Sequence, residues 1–246
     1  MNSTPIARLS RVVAWAPLFL ALCVPAQAVA GVFSVTPVRI YMSPRDRAVA
    51  ITVTNEGDTP LVLQADLNDW KQKPDGTDEL TLTEDLILAP PIIKLEPKAR
   101  QVVRLARLAP PDASRQLTYR FILREIPEAG ADRRNIQVPI ALALSMPVFI
   151  TPPGAKRAVT CGVVGRQEGS IGVRCENKGN AYAQIREVEL TRGEKRIAHF
   201  EGGVYVLPGA AKTIGIGTVG AVGAGKARLT VTFDDNEKQE LDLSVP

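Results

Sequence analysis

Residues Asn135 to Pro153 read NIQVPIALALSMPVFITPP. The even positions Val138, Ile140, Leu142, Leu144, Met146, Val148 and Ile150 are large and apolar. The odd positions Gln137, Pro139, Ala141, Ala143, Ser145, Pro147 and Phe149 are mostly small or polar. Successive side chains of a strand point to opposite faces, so this alternation predicts one long strand with its bulky residues on a single face. Such a strand is about twice the usual length. The plain reading is a half-buried strand of a sandwich. A typical domain is too short to cover so long a stripe, however, so part of it is expected to lie exposed or to reach another domain. Pro139 and Pro147 are an even number of residues apart and remove donors from the same side, which confines the strand to a sheet edge. An apolar edge strand invites aggregation unless a partner pairs with it, and pairing with an extended partner is a recognised binding mode.

Outward from this segment, short β-rich runs dominate: Ala48–Thr54, Leu61–Leu67, Val102–Leu108, Thr118–Ile126, Ile171–Cys175, Gln184–Leu190, Val204–Leu207 and Ala227–Phe233. Turn residues such as Asn55-Glu56-Gly57-Asp58 and Pro74-Asp75-Gly76 punctuate them. Many short strands at this spacing predict an all-β chain of β-sandwiches. Thr151-Pro152-Pro153-Gly154 is the best boundary, because two prolines deny a sheet its backbone donors. A weak echo supports two related units: Asn55-Glu56-Gly57-Asp58 matches Asn177-Lys178-Gly179-Asn180, and Leu95-Glu96-Pro97 matches Leu207-Pro208-Gly209. The expected division is residues 1–30 as a leader, 31–152 as a first sandwich and 153–246 as a second.

Residues 1–30 carry Arg8 and Arg11, no acidic residue, an apolar run from Val12 to Val24, and Ala-x-Ala at Ala26–Ala28 and Ala28–Ala30. A basic start, a short apolar core and small residues at a cleavage site make a secretory signal. The apolar run is shorter than the roughly 20 residues a membrane span needs. Bulky Leu22 before Cys23 speaks against lipidation. Without the leader, 28 basic residues face 26 acidic ones, a net charge of +2, which is no nucleic-acid surface. No later run is long and apolar enough to predict a membrane span. Cys161 and Cys175 then remain as an even pair in a chain bound for an oxidising compartment. They flank a hairpin with Gly165 to Ser170 as its loop, which suits a disulfide; two free thiols are the alternative.

Signals for catalysis are poor. Gly220-Ala221-Val222-Gly223-Ala224-Gly225-Lys226 has phosphate-loop spacing, but Ala227 stands where Ser or Thr would hold magnesium. The alternation of Arg228 to Phe233 then predicts a strand where a helix is needed, so the segment reads as an inter-strand loop. His199 is the only histidine and has no acid or nucleophile beside it in sequence. Asp234-Asp235-Asn236-Glu237 lacks a calcium-loop pattern and reads as a solvated turn. Nothing here nominates an enzyme, a metal site or a cofactor.

Several stretches together resemble the periplasmic chaperones that assemble bacterial pili by the chaperone–usher route. They are Pro90-Pro91-Ile92-Ile93-Lys94-Leu95-Glu96-Pro97, Gln101-Val102-Val103-Arg104-Leu105, Leu123-Arg124-Glu125-Ile126-Pro127, the Ile136–Pro152 strand and, more weakly, Asn177–Glu189. The resemblance implies two immunoglobulin-like β-sandwich domains in a boomerang arrangement, located in the periplasm. It implies that the long strand lends Val138, Ile140, Leu142 and Leu144, with Met146 at its margin, to an incomplete pilin-like subunit, which an outer-membrane usher then receives without ATP. It also implies that Arg39, in Pro37-Val38-Arg39-Ile40, holds the subunit's C-terminal carboxylate. The family's lysine position falls at Pro147, which cannot replace it, leaving Arg104 or Arg120 as other cations. Arg104 and Glu125 match two members of an internal ion pair near the domain junction, with no matching second-domain acid around Val219–Lys226. Gln116 and Ile122 stand where an acid and an asparagine are usual, which points to a divergent branch, of the archaic type. The competing reading is a structural or adhesive two-domain component of a surface fibre. Self-association is a further way to cover the apolar strand.

Overall fold

The computed structural model describes residues 33–127 and 141–246. Residues 1–30, expected to be a leader, and the donor candidates Val138 and Ile140 therefore lie outside the described residues. Every regular element within them is a strand. In chain order these are β1 (Phe33–Thr36), β2 (Ile40–Met42), β3 (Ala48–Asn55), β4 (Leu61–Gln72), β5 (Asp78–Leu82), β6 (Leu86–Ala89), β7 (Ile92–Leu95), β8 (Arg100–Arg107), β9 (Leu117–Glu125) and β10 (Ala143–Ile150). Beyond the Pro152-Pro153 break follow β11 (Val159–Gln167), β12 (Ser170–Asn177), β13 (Ala183–Arg192), β14 (Lys195–Val206), β15 (Ala211–Thr218), β16 (Gly225–Phe233) and β17 (Lys238–Val245).

Strands β1 to β10 form two facing sheets. One has the order β1-β3-β8-β6, the other β2-β10-β9-β4-β5, with β7 also paired to β4. Alternate residues of each strand fill the space between them. Ile51 and Val53 of β3, Val103 and Leu105 of β8, Leu63 of β4, and Phe121 and Leu123 of β9 are fully buried in one cluster. The later strands form a seven-stranded sheet, β11-β12-β15-β14-β13-β16-β17, whose two edge strands come into contact. That closure encloses a second core around Val173, Ile185, Val188, Leu190, Leu229 and Val231. The chain is two immunoglobulin-like β-sandwiches. The hairpin expected at Cys161–Cys175 is present with a tighter turn: β11 runs to Gln167 and β12 starts at Ser170, with a register shift between Val163 and Gly165. Cys161 and Cys175 lie directly opposite each other and are joined as a disulfide.

The sequence echo has a physical basis. Asn55 ends β3, and its Nδ2 donates to the carbonyls of Thr59 at 2.8 Å, Leu95 at 3.3 Å and Glu96 at 3.1 Å. Its Oδ1 accepts from the Gly57 amide at 2.9 Å. Asn177 ends β12 and repeats the pattern: Nδ2 donates to Ala181 O at 2.8 Å and Val206 O at 3.0 Å, and Oδ1 accepts from the amides of Gly179 and Ala158 at 3.0 and 3.1 Å. In each sandwich one buried amide side chain satisfies the backbone of a turn and of a distant strand, as buried polar groups require. A Cβ at Gly179 would run into the Lys156 carbonyl and the Ala158 amide, so the turn admits only glycine there.

Asn177→Ala should therefore destabilise the protein by about 3 kcal/mol or more, because several buried backbone groups lose their partner at once. Asn177→Asp should also destabilise it, since the carboxylate keeps an acceptor but has no amide donor for Ala181 and Val206. Urea unfolding of the two variants measures both effects, and an Asn177→Ala midpoint equal to wild type would contradict this role.

Candidate functional site

Strand β10 changes environment along its length. Met146, Val148 and Ile150 are buried in the first core, at 4%, 0% and 1% exposure, whereas Leu144 is 38% exposed and Leu142, just before the strand, 37%. The seven-residue stripe read from the sequence thus divides into a core half and an uncovered half. Met146 belongs to the core half, which corrects its expected place at the margin of the donor set: it is committed to its own sandwich.

The edge of β10 is equally divided. β9 pairs with β10 along its whole length, from Ala143 opposite Arg124 to Ile150 opposite Leu117. On the other side, β2 pairs in parallel with Val148, Phe149 and Ile150 only. Among the described residues no strand pairs with Ala143 to Pro147 on that side. The Glu125 amide donates to Leu142 O at 2.9 Å. An antiparallel ladder alternates, so the backbone groups of Leu142, Leu144 and Met146 face β9, and those of Ala143 and Ser145 face outward. Pro147 has no N–H to present on the open side.

Arg39 immediately precedes β2, and the Ile40–Val148 register places it alongside Pro147. It does not stand free. Its Nη1 donates to Asp234 Oδ2 at 3.2 Å, with the two side chains 37% and 19% exposed. Burial opposes the Arg39 charge, but a hydrogen bond with Tyr41 and the fields of Tyr205, Tyr41 and Asp234 outweigh it and raise the pKa. The Tyr182 hydroxyl meets the same Oδ2 at 3.3 Å and shares a 2.8 Å hydrogen bond with the Tyr41 hydroxyl. The second-sandwich acid that meets the first sandwich here is Asp234, which lies outside Val219–Lys226 and pairs with Arg39, not with Arg104 or Glu125. Its neighbours are also engaged: Arg157 contacts Asp235 at 2.8 and 3.1 Å and Glu237 at 2.6 Å. The acidic run is a charge-paired turn, not a merely solvated one.

The other expected cations lie elsewhere. Arg104 is exposed on β8, beside Ala50 and Ala89 in the four-stranded sheet, while Glu125 ends β9 in the other sheet. No ion pair joins them; Glu125 Oε2 instead accepts from the Leu142 amide at 3.3 Å. Arg104 points away from the core on the four-stranded sheet, whereas Glu125 lies at the end of β9 in the other sheet, on the face it shares with Phe121 and Leu123. The core therefore stands between the two side chains, which is the physical reason for this correction. Arg120 lies opposite Pro147 on β9, with its guanidinium carbon 3.7 Å from the Trp70 ring centroid and 5.4 Å from that of Tyr205. Burial lowers its pKa.

Trp70, Phe149 and Leu207 form a third buried cluster, to which Tyr182 and Tyr205 add their rings. Phe149 stacks on Tyr182 with centroids 4.0 Å apart and planes 10° apart, and Trp70 meets Tyr205 edge-on at 5.2 Å. This cluster joins the outer face of the six-stranded sheet to the second sandwich. Gln116, one of the departures from the expected pattern, is 5% exposed and ties the same junction: its Oε1 accepts from the Tyr182 amide at 2.8 Å and its Nε2 donates to Thr151 Oγ1 at 2.6 Å. Sequence reading missed Gln116 and Asp234, and no local periodicity marks either. His199, on β14, lies 3.2 Å from Glu187 on the adjacent β13, a cross-strand neighbour hidden by sequence distance. The phosphate-loop look-alike lies between β15 and β16, with Lys226 already in the strand.

Residues 32–156, just over half of the chain, match the model of the pili and flagellar-assembly chaperones, PapD N-terminal domain. A search of curated proteins gives no match. Among solved structures the chain is similar to one in the CsuC–CsuE chaperone–tip adhesion subunit complex from archaic chaperone–usher pili of Acinetobacter baumannii, at 18% identity and TM-score 0.64, covering 86% of this chain and 97% of that one. It is also similar to the E. coli chaperone DraB, at 18% identity and TM-score 0.57 over 87% and 97% of the two chains. For a chain in the Salmonella enterica SafA pilin–SafB chaperone complex the values are 16% and 0.57, over 88% and 97%. These likenesses describe the fold, and the family match covers the open-edged strand, Arg39 and the junction residues of the first sandwich: the chain belongs to the family of pili and flagellar-assembly chaperones.

Proposed function

We propose that this chaperone holds pilin-like subunits at the open edge of β10 and delivers them to an outer-membrane usher. The observation that carries this reading is the combination of backbone at Ala143 to Pro147 that no strand among the described residues pairs on one side with the exposed side chains Leu142 and Leu144. An incoming strand finds outward N–H and C=O groups at Ala143 and Ser145, and an incomplete subunit core finds two large apolar side chains to bury. Each such side chain contributes roughly 1.5–3 kcal/mol when fully buried, offset in part by the cost of docking. Val138 and Ile140 continue the same alternation in sequence and extend the donor set. Arg39 is the anchor for the subunit's C-terminal carboxylate, a task that suits a planar guanidinium. Residues 1–30 act as the cleaved signal that takes the chain to the periplasm; 31–152 form the subunit-holding domain and 153–246 the second domain.

Co-expression with a pilin-like subunit encoded beside this chain should yield a one-to-one complex. Leu142→Glu with Leu144→Glu should weaken that complex by about 100-fold or more while leaving the unfolding midpoint of the free chaperone unchanged. An unaltered complex in that variant would sink the mechanism.

Met146→Ala should behave in the opposite way. As a core residue it should cost the free chaperone about 2–5 kcal/mol of stability. Denaturant unfolding without any subunit reads this out, and a cost near zero would return Met146 to the donor set.

A further inference from the structure

We propose that Asp234 occupies, in the free chain, the place on Arg39 that a partner's carboxylate takes in the complex, so that docking releases an ion pair between the two sandwiches. The inference rests on the reading of Arg39 as the carboxylate anchor and adds an internal competitor to it.

Two arginines near the junction set the contrast. Arg157 is fully employed: it makes two hydrogen bonds to Asp235 and a third to Glu237, the forked arrangement that suits guanidinium and carboxylate. Arg39 meets Asp234 through one nitrogen and one oxygen at 3.2 Å, longer than the usual charge-assisted distance of about 2.7–2.9 Å. Asp234 is the only carboxylate within ion-pair reach of Arg39 among the described residues. The guanidinium thus keeps donors for a better-placed acid, and its exposure leaves it reachable.

The surroundings suit a carboxylate. The hydroxyls of Tyr41 and Tyr182 meet beside Asp234 Oδ2, so two further polar groups border the oxygen that an incoming acid would replace. Pro147 supplies no second cation, so the competing acids would share a single arginine. A two-point contact with that arginine outcompetes a one-point contact. Asp234 itself is placed by its backbone, its amide donating to Gln184 O at 3.0 Å. It can therefore lose Arg39 without unfolding its turn.

Formate tests the site without any subunit. Asp234→Ala should lower the melting temperature, and sodium formate should recover that loss relative to sodium chloride at equal ionic strength. Wild type and the double variant Arg39→Gln with Asp234→Ala should show no formate-specific gain. The absence of recovery in Asp234→Ala, or equal recovery in the double variant, overturns the inference. The subunit complex gives the second arm: with Asp234→Asn it should dissociate about fivefold more slowly than wild type. An unchanged or faster dissociation overturns the inference alone, whereas a wild-type chain that binds no subunit removes the proposed function together with it.

Discussion

Among the described residues, what bears on function depends on one strand being paired on one side and only half paired on the other. β9 holds β10 along its full length, and β2 covers only its last three residues. The covered end is fixed from both faces: Met146, Val148 and Ile150 enter the first core, and Phe149 enters the aromatic cluster at the junction. That fixation lets the other end remain straight and uncovered without fraying from the sheet. An isolated apolar edge would be a liability; one whose root is held on both faces is a preorganised template, which lowers the ordering cost of pairing.

The junction serves the same strand. Phe149 stacked on Tyr182, with Trp70 and Tyr205 packed around them, attaches the second sandwich to the strand that carries the open edge. Gln116 and Gln72 add hydrogen bonds from the first sandwich to the backbone of Tyr182, Tyr205 and Leu207. Apolar stacking and saturated amide hydrogen bonds are hard to displace, so they suit a permanent attachment. The Arg39–Asp234 pair is of another kind, partly exposed and joined at a single point, with a modest net contribution expected of it. The contact that would respond to a partner is a single-point, partly exposed ion pair.

Much of the fold was legible in the sequence because it follows from short-range rules. Alternation marked β10, the Asn55 and Asn177 turns marked equivalent corners of two sandwiches, and two cysteines on either side of a loop marked a hairpin disulfide. The short strands β1, β2, β5, β6 and β7 were not read, because runs of three to five residues carry too few alternations to stand out. β15, broken up by Gly215 and Gly217, and β17, rich in charged residues, were not read either. Site assignments fared less evenly for a related reason. Alternation says which residues share a face and nothing about where the opposite sheet stops covering it, so Met146 and Leu144 looked equivalent. Pairs such as Arg39 with Asp234 join segments almost two hundred residues apart and leave no local trace. Arg104 and Glu125 sit in familiar motifs, yet they belong to different sheets, and Arg104 points away from the core that lies between them.

Amide hydrogen exchange at Ala143 and Ser145, with and without bound subunit, tests the central claim most directly. Their N–H groups face the open side of β10, so they should exchange rapidly in the free chaperone while Leu144 and Met146, bonded to β9, are protected. On subunit binding, Ala143 and Ser145 should become protected as a new strand accepts their hydrogen bonds. Amides that stay fast-exchanging in a stable complex would contradict strand pairing at this edge and place the subunit elsewhere on the molecule.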